Sequence, residues 1–166
     1  MSTTQPNRIL AVEIRAGRLG YAIVETPDNL RDFGAAWFDS NVAARSRMAR
    51  LLRLGRPTVL VLRGASARYA RRSRKRRAVV QIASQEARKL TIPITRIREP
   101  AFKSYFERHS CRDKYDMARL LAGRFPEMAW RLPERPKFYE PEPRPMLYFD
   151  SVALAAAYLE LTNSND

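Results

Sequence analysis

The sequence predicts a mixed α/β domain. Three observations carry that expectation: apolar residues alternate or run together with strand spacing from Ile9 to Phe38, the period changes to that of helices after Ser40, and short apolar runs then alternate with helical segments. With 166 residues and 45% apolar content the chain can build one core of ordinary size.

The elements follow in order. "RILAVEIR" (8–15) and "LGYAIVET" (19–26) are strands, and the short link carrying Gly17 makes them a hairpin. "NLRDFGAAWF" (29–38) follows the Pro27-Asp28-Asn29 turn as a third strand, giving an opening meander. "SNVAARSRMARLLRLG" (40–55) has helical spacing, with Ser40 or Asn41 as N-cap, Val42, Met48, Leu51 and Leu52 on one apolar face and Gly55 as the stop. "RPTVLVLRG" (56–64) is a buried fourth strand, "RAVVQIASQEARKL" (77–90) a helix and "TIPITRIR" (91–98) a fifth strand. "AFKSYFERHS" and "DKYDMARLLAGRF" are helices, the second capped by Asp113. "RLPERPKFYEPEPRP" (131–145) holds too many prolines for a helix or a central strand and reads as an extended loop. "LYFDSVALAAAYLEL" closes the chain as an alanine-rich amphipathic helix. Residues 1–7 and 163–166 are expected to be disordered, leaving 8–162 as the domain.

The formal net charge is +14 and the isoelectric point near 10.8. A polyanion is the simplest partner for such a charge, and nucleic acid is the first candidate. No apolar run approaches the length of a spanning helix and the N-terminus lacks a signal peptide's apolar core, so a cytoplasmic protein is expected. A single cysteine, Cys111, rules out an internal disulfide and a cysteine-cluster zinc site, and a single histidine, His109, rules out a histidine triad or a two-histidine zinc site. Any metal must be held by oxygen.

The densest positive segment runs from Arg63 to Ala78. Its Arg68, Tyr69, Arg71, Arg72, Arg74, Lys75, Arg76 and Arg77 can follow a phosphate backbone without reading sequence. A solvated helix start or a flexible loop is the plainer alternative, although positive charge at a helix start opposes the helix dipole. Trp37 and Trp130 read as core or loop packing.

One carboxylate stands out: Glu13 interrupts an apolar strand. On an edge strand it would face solvent; otherwise it is buried and needs a partner. Asp150 precedes an apolar helical run, where an N-cap is the structural reading.

The order and spacing of these segments resemble the RuvC family of Holliday-junction resolvases, within the ribonuclease H-like fold. That resemblance implies a mixed five-stranded sheet, three antiparallel strands then two parallel, flanked by helices. "ILAVEIRAGRLGYAIVE" is similar to the family's first hairpin, with Glu13 at its first catalytic Asp. "SRKRRAVVQIASQEARKLTIPITRIREP" parallels its long helix, fifth strand and following proline. Pro100, Lys103 and Lys114 match its proline and lysine spacing, and "FDSVALAAAYLE" its closing acidic helix, with Asp150 as an acid of the site. The resemblance implies phosphate contacts by Lys103 and Lys114, a homodimer gripping a two-fold junction, and Mg²⁺ held by carboxylates as a cation pair about 4 Å apart.

The chain departs from the family where the chemistry is done. Arg63 stands where the second catalytic acid is expected, Leu147 where an acid would pair with Asp150, and Ser66 where an aromatic wedge is usual. A guanidinium cannot ligate a cation and repels one nearby. Glu13 and Asp150 are therefore the metal ligands that remain, Glu99 and Glu25 the substitutes that can be named, and a bidentate Glu13–Arg63 pair the expected outcome. The expected protein binds branched or structured DNA with lost or weakened cleavage. The alternatives are an active Mg²⁺-dependent crossover junction endodeoxyribonuclease and an RNA- or ribosome-associated basic protein.

Overall fold

The computed structural model describes residues 7–25, 28–64 and 73–164. Residues 1–6, 165 and 166, and the predicted contacts Arg68, Tyr69, Arg71 and Arg72 together with Ser66, lie outside the described residues.

Five strands, β1 (Arg8–Arg15), β2 (Arg18–Glu25), β3 (Asn29–Trp37), β4 (Val59–Arg63) and β5 (Ile94–Ile97), form one sheet in the order β3-β2-β1-β4-β5. The β1–β2 and β2–β3 pairs are antiparallel, and the β1–β4 and β4–β5 pairs parallel. The hairpin link is Ala16-Gly17, and Gly17 takes φ +72° there, a backbone that a residue without Cβ adopts at no steric cost.

Because side chains alternate across a strand, the sheet sorts its residues onto two faces. Leu10, Val12, Ile14, Leu60 and Leu62 pack with Met48, Leu52, Val79 and Ala83 of α1 (Asn41–Gly55) and α2 (Arg74–Lys89). Ile9, Ala11, Val59 and Val61 pack on the other face with α3 (Glu99–Arg108), α4 (Lys114–Arg124) and α5 (Met146–Asn163). A short 3-10 helix, Pro126–Arg131, leads from α4 into the proline-rich segment.

The caps explain where helices start. Ser40 accepts from the Ala43 amide, Ser73 from Arg76 and Asp113 from Asp116, so Ser40 rather than Asn41 caps α1. Helix α1 ends on Arg56 at φ 44°, whose amide bonds the Leu52 carbonyl.

Several expectations are corrected. Val42 is 81% exposed, because the buried stripe of α1 runs through Ala44, Met48 and Leu52 and leaves Val42 outside it. Trp37 and Trp130 are exposed rather than packed. Helix α5 is not amphipathic: it lies between the sheet and α3–α4, and from Phe149 to Ala157 every residue is buried. It ends at Asn163. Among the described residues no helix is long and apolar enough to cross a membrane.

Gly20 fixes how closely α5 approaches the sheet. A Cβ on Gly20 would stand 2.6 Å from the Leu147 carbonyl oxygen and 2.9 Å from its Cγ. Gly20 pairs with Glu13 across the hairpin, so the start of α5 is seated beside that carboxylate. Gly20→Ala is expected to push this helix away and lower unfolding free energy by about 1–3 kcal/mol, measurable by urea titration; an unchanged midpoint would show that the approach is not tight.

Candidate functional site

The site is built at the carboxyl ends of β1 and β4, where parallel strands leave a crevice. Val12 pairs with Leu62, so the next residues, Glu13 and Arg63, leave the sheet side by side on the face covered by α5. Glu13 is 6% exposed, which excludes the solvent-facing edge reading.

Arg63 Nε lies 3.4 Å from Glu13 Oε2, and Arg63 Nη1 donates to Glu99 Oε2 at 3.3 Å. Glu99 and Phe102 share one face of the first turn of α3. The guanidinium carbon stands 4.0 Å from the Phe102 ring centre, so carboxylate and ring hold it together. The Glu13–Arg63 pair is electrostatic and not the expected bidentate hydrogen bond. Glu13 Oε2 and Arg63 Nε are both buried without a hydrogen-bond partner, because Nη1 is committed to Glu99. Burial pushes the Glu13 carboxyl above the usual carboxylate range; Arg63 pulls it back, and the negative charge of Asp150 adds to the rise.

Asp150 is almost fully buried and is not an N-cap. Helix α5 begins at Met146, and Asp150 sits in its second turn, aimed at the same crevice. Its Oδ2 accepts hydrogen bonds from Arg15 and, at 3.4 Å, from Lys114 Nζ, while its Oδ1 is buried without a partner. Glu142 bridges the same two cations, accepting from Arg15 Nη1 at 2.7 Å and Lys114 Nζ at 2.6 Å. Burial works against the charge on Arg15, yet Asp150 and Glu142 hold its guanidinium above its usual value. Partial burial opposes ionisation of Glu142, and its bonds from Lys114 and Arg15 hold it below the usual carboxylate range.

Glu13, Arg15, Arg63, Glu99, Lys114 and Glu142 line an open cleft of about 390 Å³ together with Ser73, Arg76 and Gly64. Arg76 donates to the Ile14 carbonyl at 2.9 Å, tying the start of α2 to β1. Exposed Arg74, Lys75 and Arg77 stand on the same helical turns, and no acidic residue lies in the first turn of α2. Exposed Lys103 lines an adjoining pocket that shares Arg63, Glu99 and Lys114 with the cleft and is also lined by Asp150.

Of the residues singled out in the sequence, Glu13, Arg63, Arg76, Lys114 and Asp150 converge, and Glu99 joins them. Glu25 does not: it pairs with Arg8 at 2.6 Å at the opposite end of β1. Sequence reasoning missed Arg15 and Glu142. Strand parity could have found Arg15, which is two residues beyond Glu13 and so on the same face.

The donor set does not fit a pair of divalent cations. Among the described residues no group of three or more His, Cys, Asp or Glu side chains is placed to hold a metal ion. Glu13 and Asp150 offer orphaned oxygens, but Arg63, Arg15 and Lys114 occupy the space between the acids.

A mixed sheet in the order β3-β2-β1-β4-β5, antiparallel then parallel and flanked by helices, is the ribonuclease H-like fold. The chain is similar to the Thermus thermophilus RuvC structure at a TM-score of 0.71 and 13% identity, covering 95% of this chain and 96% of that one. T. thermophilus RuvC in complex with a Holliday junction substrate matches at 0.68 and 12% identity, covering 95% of each chain. The yeast mitochondrial Holliday junction resolvase matches at 0.64 and 10% identity, covering 98% of this chain and 83% of that one. No family model matches the sequence, and no curated protein matches it.

Proposed function

We propose that this protein binds branched or structured DNA along its basic sheet-end cleft, with endonuclease activity lost or weakened. The observation that carries this reading is that every carboxylate at the cleft faces a fixed cation: Glu13 and Glu99 share Arg63, Asp150 and Glu142 share Arg15 and Lys114, and Arg76 supplies the fourth positive charge against the four acids. A site neutralised in this way has little attraction left for Mg²⁺ and presents its remaining basic groups to phosphate. Similarity to a RuvC bound to Holliday junction substrate supports branched DNA as the partner.

The test is binding of the full chain to a four-way junction, a duplex of equal length and a structured RNA at matched salt, with a cleavage assay in Mg²⁺ and Mn²⁺. Tighter binding to the junction with no cleavage supports the reading. Equal binding to all of them removes the junction, and preference for RNA favours an RNA-associated protein.

The second reading, an active crossover junction endodeoxyribonuclease, is favoured by the two orphaned oxygens, Glu13 Oε2 and Asp150 Oδ1. It requires Arg15, Arg63 and Lys114 to leave their carboxylates when DNA arrives. Metal-dependent cleavage of a mobile junction by the unaltered chain establishes it.

A further inference from the structure

The proline-rich segment between the 3-10 helix and α5 carries an aromatic pair that the cleft chemistry does not use. Lys137 and Glu140 close a tight turn: the Glu140 amide donates to the Lys137 carbonyl at 2.9 Å, and Glu140 Oε2 accepts from the Lys137 amide at 3.0 Å. Its central positions, where Gly, Asn, Asp or Pro are usual, hold Phe138 and Tyr139. Their rings meet edge to face at 5.4 Å, Phe138 is 101% exposed and Tyr139 66% exposed. Neither ring serves the core, and Pro136 and Pro141 on either side restrict the turn that displays them.

The turn is pinned beside the cleft on both sides. Before it, Arg135 bonds Asp113 at 2.6 Å and Asp116 at 2.9 Å, at the start of α4 next to Lys114. After it, Glu142 bonds Lys114 and Arg15. Phe138 lies three residues from the first anchor and Tyr139 three from the second. Three residues span at most about 10 Å, so the backbone of each aromatic residue lies within about 10 Å of an anchor that bonds a residue at or beside the cleft. Lys137 Nζ is 5.9 Å from the Tyr139 ring centre, keeping a positive charge on the same turn.

We propose that Phe138 and Tyr139 form a stacking platform for unpaired nucleobases at the mouth of the cleft. The inference rests on the DNA-binding reading above and deepens it. Exposed aromatic rings beside cations are what binding of single-stranded nucleic acid uses: phosphates neutralised along the groove and bases stacked on π faces, with little dependence on sequence. A fully paired duplex offers no free base face and so gains nothing from the platform.

The test compares the full chain with Phe138→Ala/Tyr139→Ala and with Phe138→Trp, measuring affinity for a short single strand, a junction carrying unpaired bases at its branch point and a duplex. Both side chains are exposed, so the substitutions leave the core intact. The double variant is expected to bind the single strand and the unpaired junction about tenfold or more weakly, with duplex affinity unchanged, and Phe138→Trp to retain wild-type binding. Equal loss on duplex and single strand overturns the inference, as does no loss on either. A change in oligomeric state by sedimentation with DNA affinity unchanged also overturns it, and assigns the turn to a second copy of the chain. If the unaltered chain binds no DNA, the DNA-binding reading falls first and this one with it; if it binds and the variant matches it, only the platform falls.

Discussion

Arg63→Met is expected to lower the free energy of unfolding by about 3–5 kcal/mol at pH 8, and to return much of that loss at pH 5. Met keeps the apolar length of the side chain and its packing on Phe102 but removes the charge facing Glu13, which is buried and has no hydrogen bond to its Oε2. Burial already raises the Glu13 carboxyl, and of the groups that pull it down Arg63 is the foremost, ahead of Arg76 and Arg15. Without it the carboxyl rises further. A carboxyl raised by folding contributes stability that is fully present below its unfolded value, near 4.3, and is lost as pH rises through the folded value. The variant is therefore weakest in alkali and recovers in mild acid. Urea titrations at both pH values measure this. Glu13→Gln/Arg63→Met, which removes both charges, is expected to lie near wild type at either pH. A cost for Arg63→Met that is equal at pH 5 and pH 8 would show that Glu13 is not the group left uncompensated.

The same electrostatics explains why Arg63 was readable from sequence and its full setting was not. A run such as "TVLVL" declares a buried strand, and the residue that ends it stands at the strand's carboxyl end whatever its identity. Parity then places Glu13 and Arg15 on one face, and the pairing of Val12 with Leu62 sets Arg63 beside them. Glu142 has no such signal: it lies 127 residues from Arg15 in a loop whose path is set by anchors, not by a period. The aromatic turn escaped for the same reason. A proline-rich string tells that the chain is irregular, but only the contacts of Arg135 and Glu142 tell where it goes.

Asp150 shows a different limit. The capping reading failed because α5 starts four residues earlier, at Met146 after Pro145, and a carboxylate in the second turn of a buried helix points inward. The apolar character of α5 on every side misled in the same way, since an alanine-rich string suits both a surface helix and one enclosed by a sheet and two helices. Burial on all sides is a tertiary fact. It follows from the narrow seat that Gly20 leaves for Leu147 and from the cover of α3 and α4.

Association with DNA is expected to weaken steeply with salt, and the basic residues are expected to divide into two groups by how much of that slope each carries. A protein that neutralises Z phosphates of a duplex loses affinity with a log–log slope of about −0.9Z. Arg74, Lys75 and Arg77 are exposed at the start of α2 and Lys103 is exposed on α3, none of them in an ion pair among the described residues. Positive charge at a helix N-terminus opposes the macrodipole, so in the free protein these groups on α2 stabilise nothing and a phosphate relieves them. Lys75→Ala/Arg77→Ala is therefore expected to reduce the slope by about two, roughly one per side chain, weaken binding uniformly across junction sequences, and leave thermal stability equal or slightly higher. Lys114 belongs to the other group. Its ammonium already bonds Glu142 at 2.6 Å and Asp150 at 3.4 Å, so a phosphate must displace carboxylates and not small ions. Lys114→Ala is expected to change the slope by less than one while costing stability, because Asp150 and Glu142 then share Arg15 alone. Fluorescence anisotropy on a labelled junction from 50 to 200 mM salt separates the two groups. If Lys114→Ala moved the slope as far as a substitution on α2, the acids of the cleft would have released their cations in the complex, and the case for a permanently neutralised site would pass to the active nuclease.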